Sequence, residues 1–106
     1  VRTHQGIEQR SLAMARAIAA RIDEDPHRRG LEHARRVCER WMRLRPLPAV
    51  AEWRELLGRP WPEIRRILIA DNEHARRLRQ NSPFCGVLSN RERWAIYREF
   101  RDHASC

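Results

Sequence analysis

Apolar residues recur along this chain at three- and four-residue steps, and proline and glycine interrupt the rhythm at intervals. Ile7, Ser11, Met14, Ile18 and Ile22 form one stripe with Ala15 and Ala19 beside it, which predicts a first helix over about 3–24. Asp25 is placed to cap a second helix and Pro26 to open it. That helix runs to about residue 44 on a stripe of Leu31, Ala34, Cys38 and Trp41, widened by Val37 and Leu44. Gly30 inside it costs about 1 kcal/mol relative to Ala, so a loop over 27–30 with a later helix start fits equally well. Pro46 and Pro48 break the chain, and a third helix over 48–57 would bury Val50, Trp53, Leu56 and Leu57, with Gly58 after its end. Pro62 starts a fourth helix on Ile64, Ile67 and Leu68. Asp71 either caps a separate short helix through 80 or lies within a continuous one. The last helix spans about 90–103, with Trp94, Ile96, Tyr97 and Phe100 apolar. No segment alternates with period two for long enough to make a strand, and no internal repeat occurs. The expected fold is all-α, a single compact domain over 1–106 with five to six helices joined by Pro/Gly turns.

The most informative stretch is 78–101. A polar helix ends near Asn81 and Ser82, and Pro83 blocks its continuation. The turn that follows carries three large apolar side chains, Phe84, Val87 and Leu88. Ser89 then opens the last helix with Glu92 three positions on, the spacing of a capping box. Loops are mostly polar, so an apolar one between two helix signals either plugs the core or meets a partner.

Composition narrows the picture. A domain of 106 residues buries roughly 65% of its unfolded surface and has no room for a second core. No apolar run is long enough to span a membrane. Nothing in Val1–Gln9 reads as the apolar core of a signal peptide, and the cytoplasm is the expected compartment. Cys38, Cys85 and Cys106 are odd in number and widely spaced, which favours reduced thiols. Cys38 and Cys85 are expected to pack and Cys106 to fray. The net charge of +8 comes from 22 arginines with no lysine. Arginine suits phosphate recognition, but abundant Ala and Arg without Lys is better explained by GC-rich codon usage. The charge is spread, net +5 over 1–50 and +3 over 51–106, and it draws the domain towards acidic surfaces.

Catalytic and metal-binding patterns are thin. The five histidines are not paired at ligand spacing, and His103 with Cys106 lacks the second pair a closed zinc site needs. Gly6, Gly30, Gly58 and Gly86 are isolated, so there is no phosphate-cradling loop. The expectation is a non-enzyme without cofactors. On the second helix Arg29, His33, Arg36, Arg40 and Arg43 share a face and would suit a nucleic-acid backbone. The stronger reading is a solvated face laced by the pairs Glu32–Arg36 and Glu39–Arg43, repeated further on by Glu73–Arg77. Of the four tryptophans, Trp41 and Trp53 sit on apolar stripes, and Trp61 between two prolines looks like a staple onto its helix. Trp94, Ile96, Tyr97 and Phe100 cover too much of the last helix for one buried stripe, which suggests a second contact surface.

The run Arg79-Gln80-Asn81-Ser82-Pro83-Phe84-Cys85-Gly86-Val87-Leu88, followed by Ser89, Arg91, Glu92, Arg93, Trp94 and Ile96, resembles a signature of small bacterial proteins. These are the antitoxin-like partners encoded beside nucleotidyltransferase-type toxins. Arg10-Ser11-Leu12-Ala13 and the middle region around Trp53, Leu56 and Leu57 fit the same pattern. At Asn81 and Cys85 that pattern has small residues such as Ser and Ala. The resemblance implies neutralisation of a cognate toxin by direct binding, with Arg79, Phe84, Arg91, Trp94 and Tyr97 as anchors. The alternative is a small arginine-rich DNA- or RNA-binding regulator using Arg36, Arg40 and Arg43. A homodimer sealed through the last helix is a third arrangement.

Overall fold

Alanine decides where the centre of this molecule lies. A helix touched by neighbours on several sides needs small side chains, because backbones can approach only where nothing protrudes. The first helix has them. In the computed structural model, which describes residues 4–104 and the side chains from 6 to 100, α1 spans His4–Glu24. It is followed by α2 (Arg29–Leu44), α3 (Pro48–Leu56), α4 (Trp61–Leu68), α5 (Glu73–Arg79) and α6 (Asn90–Ala104). The fold is all-α, with six helices and no strand among the described residues. α1 packs against α2, α4, α5 and α6, while α3 lies on α2 and α4 on α5. None of the described helices is long and apolar enough to cross a membrane.

The buried stripe of α1 is Leu12, Ala15, Ala19 and Ile22. It is turned towards the alanines from the predicted one. Ile7 is 49% exposed, and Met14 and Ile18 are only half-buried. On α2, Leu31, Ala34, Val37 and Cys38 are buried, but Leu44, predicted inside, is 75% exposed. The stripe outlasts its cover there, because the chain turns away at Pro46. The predicted core of α3 is intact, with Val50, Trp53, Leu56 and Leu57 all buried. Ile64 and Leu68 anchor α4, and Trp61 packs at its start while donating Nε1–H to Asp23 Oδ1 at 2.8 Å.

Helix ends differ from expectation in instructive ways. Asp25 supplies cap chemistry to α2 without occupying the cap position. Its carboxylate accepts from the backbone N–H of His27 at 3.0 Å and of Arg29 at 2.9 Å. The helix starts three residues beyond Pro26, after Arg28 at φ 47°. That left-handed backbone costs an L-residue roughly 1–2 kcal/mol. It is offset where Arg28 Nη1 donates to Ile22 O at 3.2 Å, at the end of α1. The fourth and fifth helices are separate, and Asn72 rather than Asp71 is the cap, accepting from Ala75 N at 2.8 Å.

Gly30, costly by propensity, lies in the first turn of α2, where it faces α1 and Val87. A Cβ there would stand 2.8 Å from Ile22 Cγ1 and 3.2 Å from Val87 Cγ1. Ile22 is fully buried and cannot yield freely. Gly30→Ala therefore sets a propensity gain of about 1 kcal/mol against an overpacking cost of about 1–3 kcal/mol. The net expectation is destabilisation, read as a lower urea midpoint. A midpoint unchanged or raised would show that α2 does not approach α1 this closely.

Candidate functional site

The apolar turn is held from within. Phe84 is 1% exposed and Pro83 is fully buried. The Phe84 ring meets Trp53 edge-on, with centroids 5.7 Å apart and planes at 73°. Trp53 in turn donates its indole N–H to Leu78 O at 2.8 Å, tying α3 to the last turn of α5. Ser82 Oγ accepts from Phe84 N at 3.2 Å. Gly86 has φ 84°, a conformation that favours glycine. His33 Nε2, on α2, donates to Cys85 O at 2.8 Å. Leu88 is buried, while Val87 is half-buried. The turn is thus core, and Cys85, expected to pack, is exposed as a free thiol.

α6 emerges from this turn through the predicted capping box. Ser89 N donates to Glu92 Oε1 at 2.9 Å and Glu92 N donates to Ser89 Oγ at 3.2 Å. Glu92 also pairs with Arg21 of α1. The Ser89 backbone N–H, followed by Arg21, lowers the Glu92 pKa to about 2.

The residues expected to act as anchors separate into two groups. Arg91 and Trp94 face solvent on α6, Trp94 at 61% exposure. Tyr97 is half-buried beside them, edge-on to Trp94 with centroids 5.8 Å apart. The guanidinium of Arg10 lies over the other aromatic partner, 5.0 Å from the Tyr97 ring centroid. Phe84 cannot be a surface anchor, because Trp53 and the core take its ring. Arg79 is a staple. Its Nη1 donates to Leu68 O at 3.0 Å and Ala70 O at 2.8 Å, just past the end of α4, and its Nε donates to Ser11 Oγ of α1 at 3.2 Å. Burial lowers its pKa from the ordinary guanidinium value, and Nη2 is buried without a hydrogen-bond partner.

The arginine face of α2 also changes on folding. Glu32 pairs with Arg35 and Glu39 with Arg54 of α3, instead of with Arg36 and Arg43. Glu52 takes Arg77, which was expected to pair with Glu73. Asp25 holds Arg29, and His33 is turned to the 82–88 turn. Arg36, Arg40 and Arg43 remain exposed, and no described carboxylate pairs with them. No group of three or more His, Cys, Asp or Glu among the described residues could hold a metal ion. Cys106 and the side chain of His103 lie outside the described residues.

Sequence reasoning missed Arg10, Ser11 and Arg93, which line a cleft between α1, the turn and α6 together with Arg79 and Tyr97. They come from segments far apart in the chain, 68 residues in the case of the Ser11–Arg79 bond, and no local pattern signals such a meeting. Compared with known proteins, the chain matches no family model, no curated protein and no solved structure at a significant level.

The capping-box carboxylate makes stability depend on acid. A folded-state pKa of about 2 for Glu92 lies below the unfolded value near 4.3. Its ionised form therefore stabilises fully above roughly pH 5, and that contribution is lost as the pH falls towards 2. Glu92→Gln keeps an acceptor for Ser89 N–H but not the charge. The stability gap between the two proteins, measured by urea unfolding from pH 6 to 2.5, should be widest at the top and close on acidification. A gap independent of pH would remove the charge from the argument.

Proposed function

We propose that this chain is a non-enzymatic protein-binding module of the antitoxin type, bacterial and cytoplasmic, which neutralises a cognate nucleotidyltransferase by covering it. The observation that carries the reading is the exposed aromatic and cationic face of α6. Trp94 is 61% exposed on a helix that its own fold holds rigidly at the start, and Trp with Arg is the composition of binding hot spots. Trp94, Arg91 and Tyr97 form the contact face. Phe84 and Arg79 serve it at one remove, by fixing the turn from which α6 departs. The nucleotidyltransferase class of the partner rests on the resemblance of the 79–96 segment. The excess of positive charge fits the carboxylates that bind Mg²⁺ in such enzymes.

The test is binding and inhibition against the nucleotidyltransferase encoded beside this chain. Trp94→Ala should weaken the complex by more than about 1 kcal/mol, roughly fivefold or more in Kd, with helicity unchanged by circular dichroism. Phe84→Ala should instead lower stability by about 3–5 kcal/mol, so its loss of binding must track loss of fold. Unchanged affinity in folded Trp94→Ala and Arg91→Ala variants would rule out this face.

One observation favours a second reading, a regulator that binds DNA or RNA. Arg36, Arg40 and Arg43 stay unpaired on the exposed side of α2. Each guanidinium contacting a phosphate steepens the salt dependence of binding. This reading predicts a duplex complex that weakens sharply between about 50 and 200 mM salt, with a shallower slope in Arg40→Ala. Absence of any salt-sensitive complex would dismiss it.

A further inference from the structure

The cleft between α1, the 82–88 turn and the first turns of α6 shares only Tyr97 with the contact face proposed above. Its volume is about 540 Å³, within the range of small-molecule sites. Its charged lining residues are Arg10, Arg79 and Arg93, and no Asp or Glu joins them, in a chain with 14 carboxylates. None of the three is in an ion pair with a described carboxylate. Arg10 lies with its guanidinium over the Tyr97 ring, which leaves its in-plane N–H donors free. Arg79 is bonded only to carbonyl and hydroxyl oxygens, with Nη2 left over. Some arginines elsewhere pair with carboxylates, as Arg21, Arg54 and Arg65 do, while Arg36, Arg40 and Arg43 on α2 pair with no described one; what marks the cleft is that three converge on one concavity. Three guanidiniums around one concave surface with no carboxylate in its lining focus a positive potential into it. The remaining wall mixes polar Ser11, Gln80 and Ser82 with an apolar strip of Met14, Ile18 and Leu88.

We infer that this cleft binds a small organic phosphate, its phosphoryl group held by Arg10 and Arg93 in front of Arg79 and its organic body laid along Met14, Ile18 and Leu88. Phosphate suits the site better than carboxylate in charge and in acceptor count. A phosphomonoester carries close to two negative charges and three acceptor oxygens, against one charge and two oxygens. Guanidinium forks match its oxygens in the bidentate geometry that an ammonium cannot offer. The apolar strip explains why an inorganic ion would leave part of the site unfilled. A nucleic-acid strand needs an extended track, which α2 presents and this short cleft does not. The site asks for no partner protein, so it stands or falls apart from the docking role of α6.

The experiment is calorimetric titration of the purified chain at low ionic strength with adenosine monophosphate, inorganic phosphate and adenosine as separate probes. Saturable one-to-one binding of adenosine monophosphate, tighter than phosphate and much tighter than adenosine, is expected. Arg93→Ala and Arg10→Ala should each weaken it at least tenfold without loss of helicity, while Arg66→Ala, exposed on α4 and outside the cleft, should leave it unchanged. These positions are used because Arg79→Ala removes the staple on α4 and threatens the fold. Equal weakening in Arg66→Ala would reduce the effect to diffuse charge and overturn the site. So would adenosine binding as tightly as its phosphate, or no saturable binding of adenosine monophosphate.

Discussion

The indole of Trp53 is the contact on which the C-terminal third of the molecule is seated. Its edge meets the Phe84 ring, and its N–H closes on Leu78 O. One side chain from α3 therefore holds both the end of α5 and the turn that follows. A buried aromatic pair contributes about 0.5–1.5 kcal/mol beyond its area. A buried carbonyl deprived of its donor costs about 1–3 kcal/mol. Remove the indole and the turn loses its floor, and α6 loses the platform from which its capping box starts. Everything assigned to α6, the exposed face and the cleft wall alike, depends on a contact made from α3.

Arginine plays two roles here that composition cannot separate. Several guanidiniums satisfy carbonyls that helices leave open at their C-terminal ends. Arg28 does so for α1 through Ile22 O, Arg35 for α3 through Leu57 O, and Arg79 beyond α4 through Leu68 O and Ala70 O. Each is also a cation at the negative end of a helix dipole. Short helices joined by tight turns expose many such carbonyls, and a long forked donor reaches them from a neighbouring element. The arginines left over, on α2 and around the cleft, are the ones with electrostatic reach to spare.

α6 illustrates how a fold presents a surface. Its start is fixed by a reciprocal pair of hydrogen bonds and by the Arg21–Glu92 ion pair, so it cannot swing freely. It packs mainly on α1. A single neighbour cannot cover a helix that is apolar on two sides. Trp94 is what remains in solvent, with Tyr97 shared between that outer face and the cleft.

The helices themselves were legible in the chain, since proline punctuation, apolar periodicity and the Ser89–Glu92 spacing are local signals governed by local geometry. The α3 stripe of Val50, Trp53, Leu56 and Leu57 was legible for the same reason. What could not be read is which of two adjacent stripes a helix turns inward, because that depends on its neighbours. α1 buries its alanines where four helices crowd it, and α2 leaves Leu44 outside where no neighbour covers it. Ion-pair choice was equally hidden. Glu39 prefers Arg54 across a helix interface to Arg43 on its own turn, and only the packed structure brings that rival near. The partner-facing residues divided along this line too. Trp94 and Phe84 look alike as apolar residues near one segment, yet the core claims one and releases the other, because the turn carries Phe84 onto Trp53 while α6 carries Trp94 on its outer side.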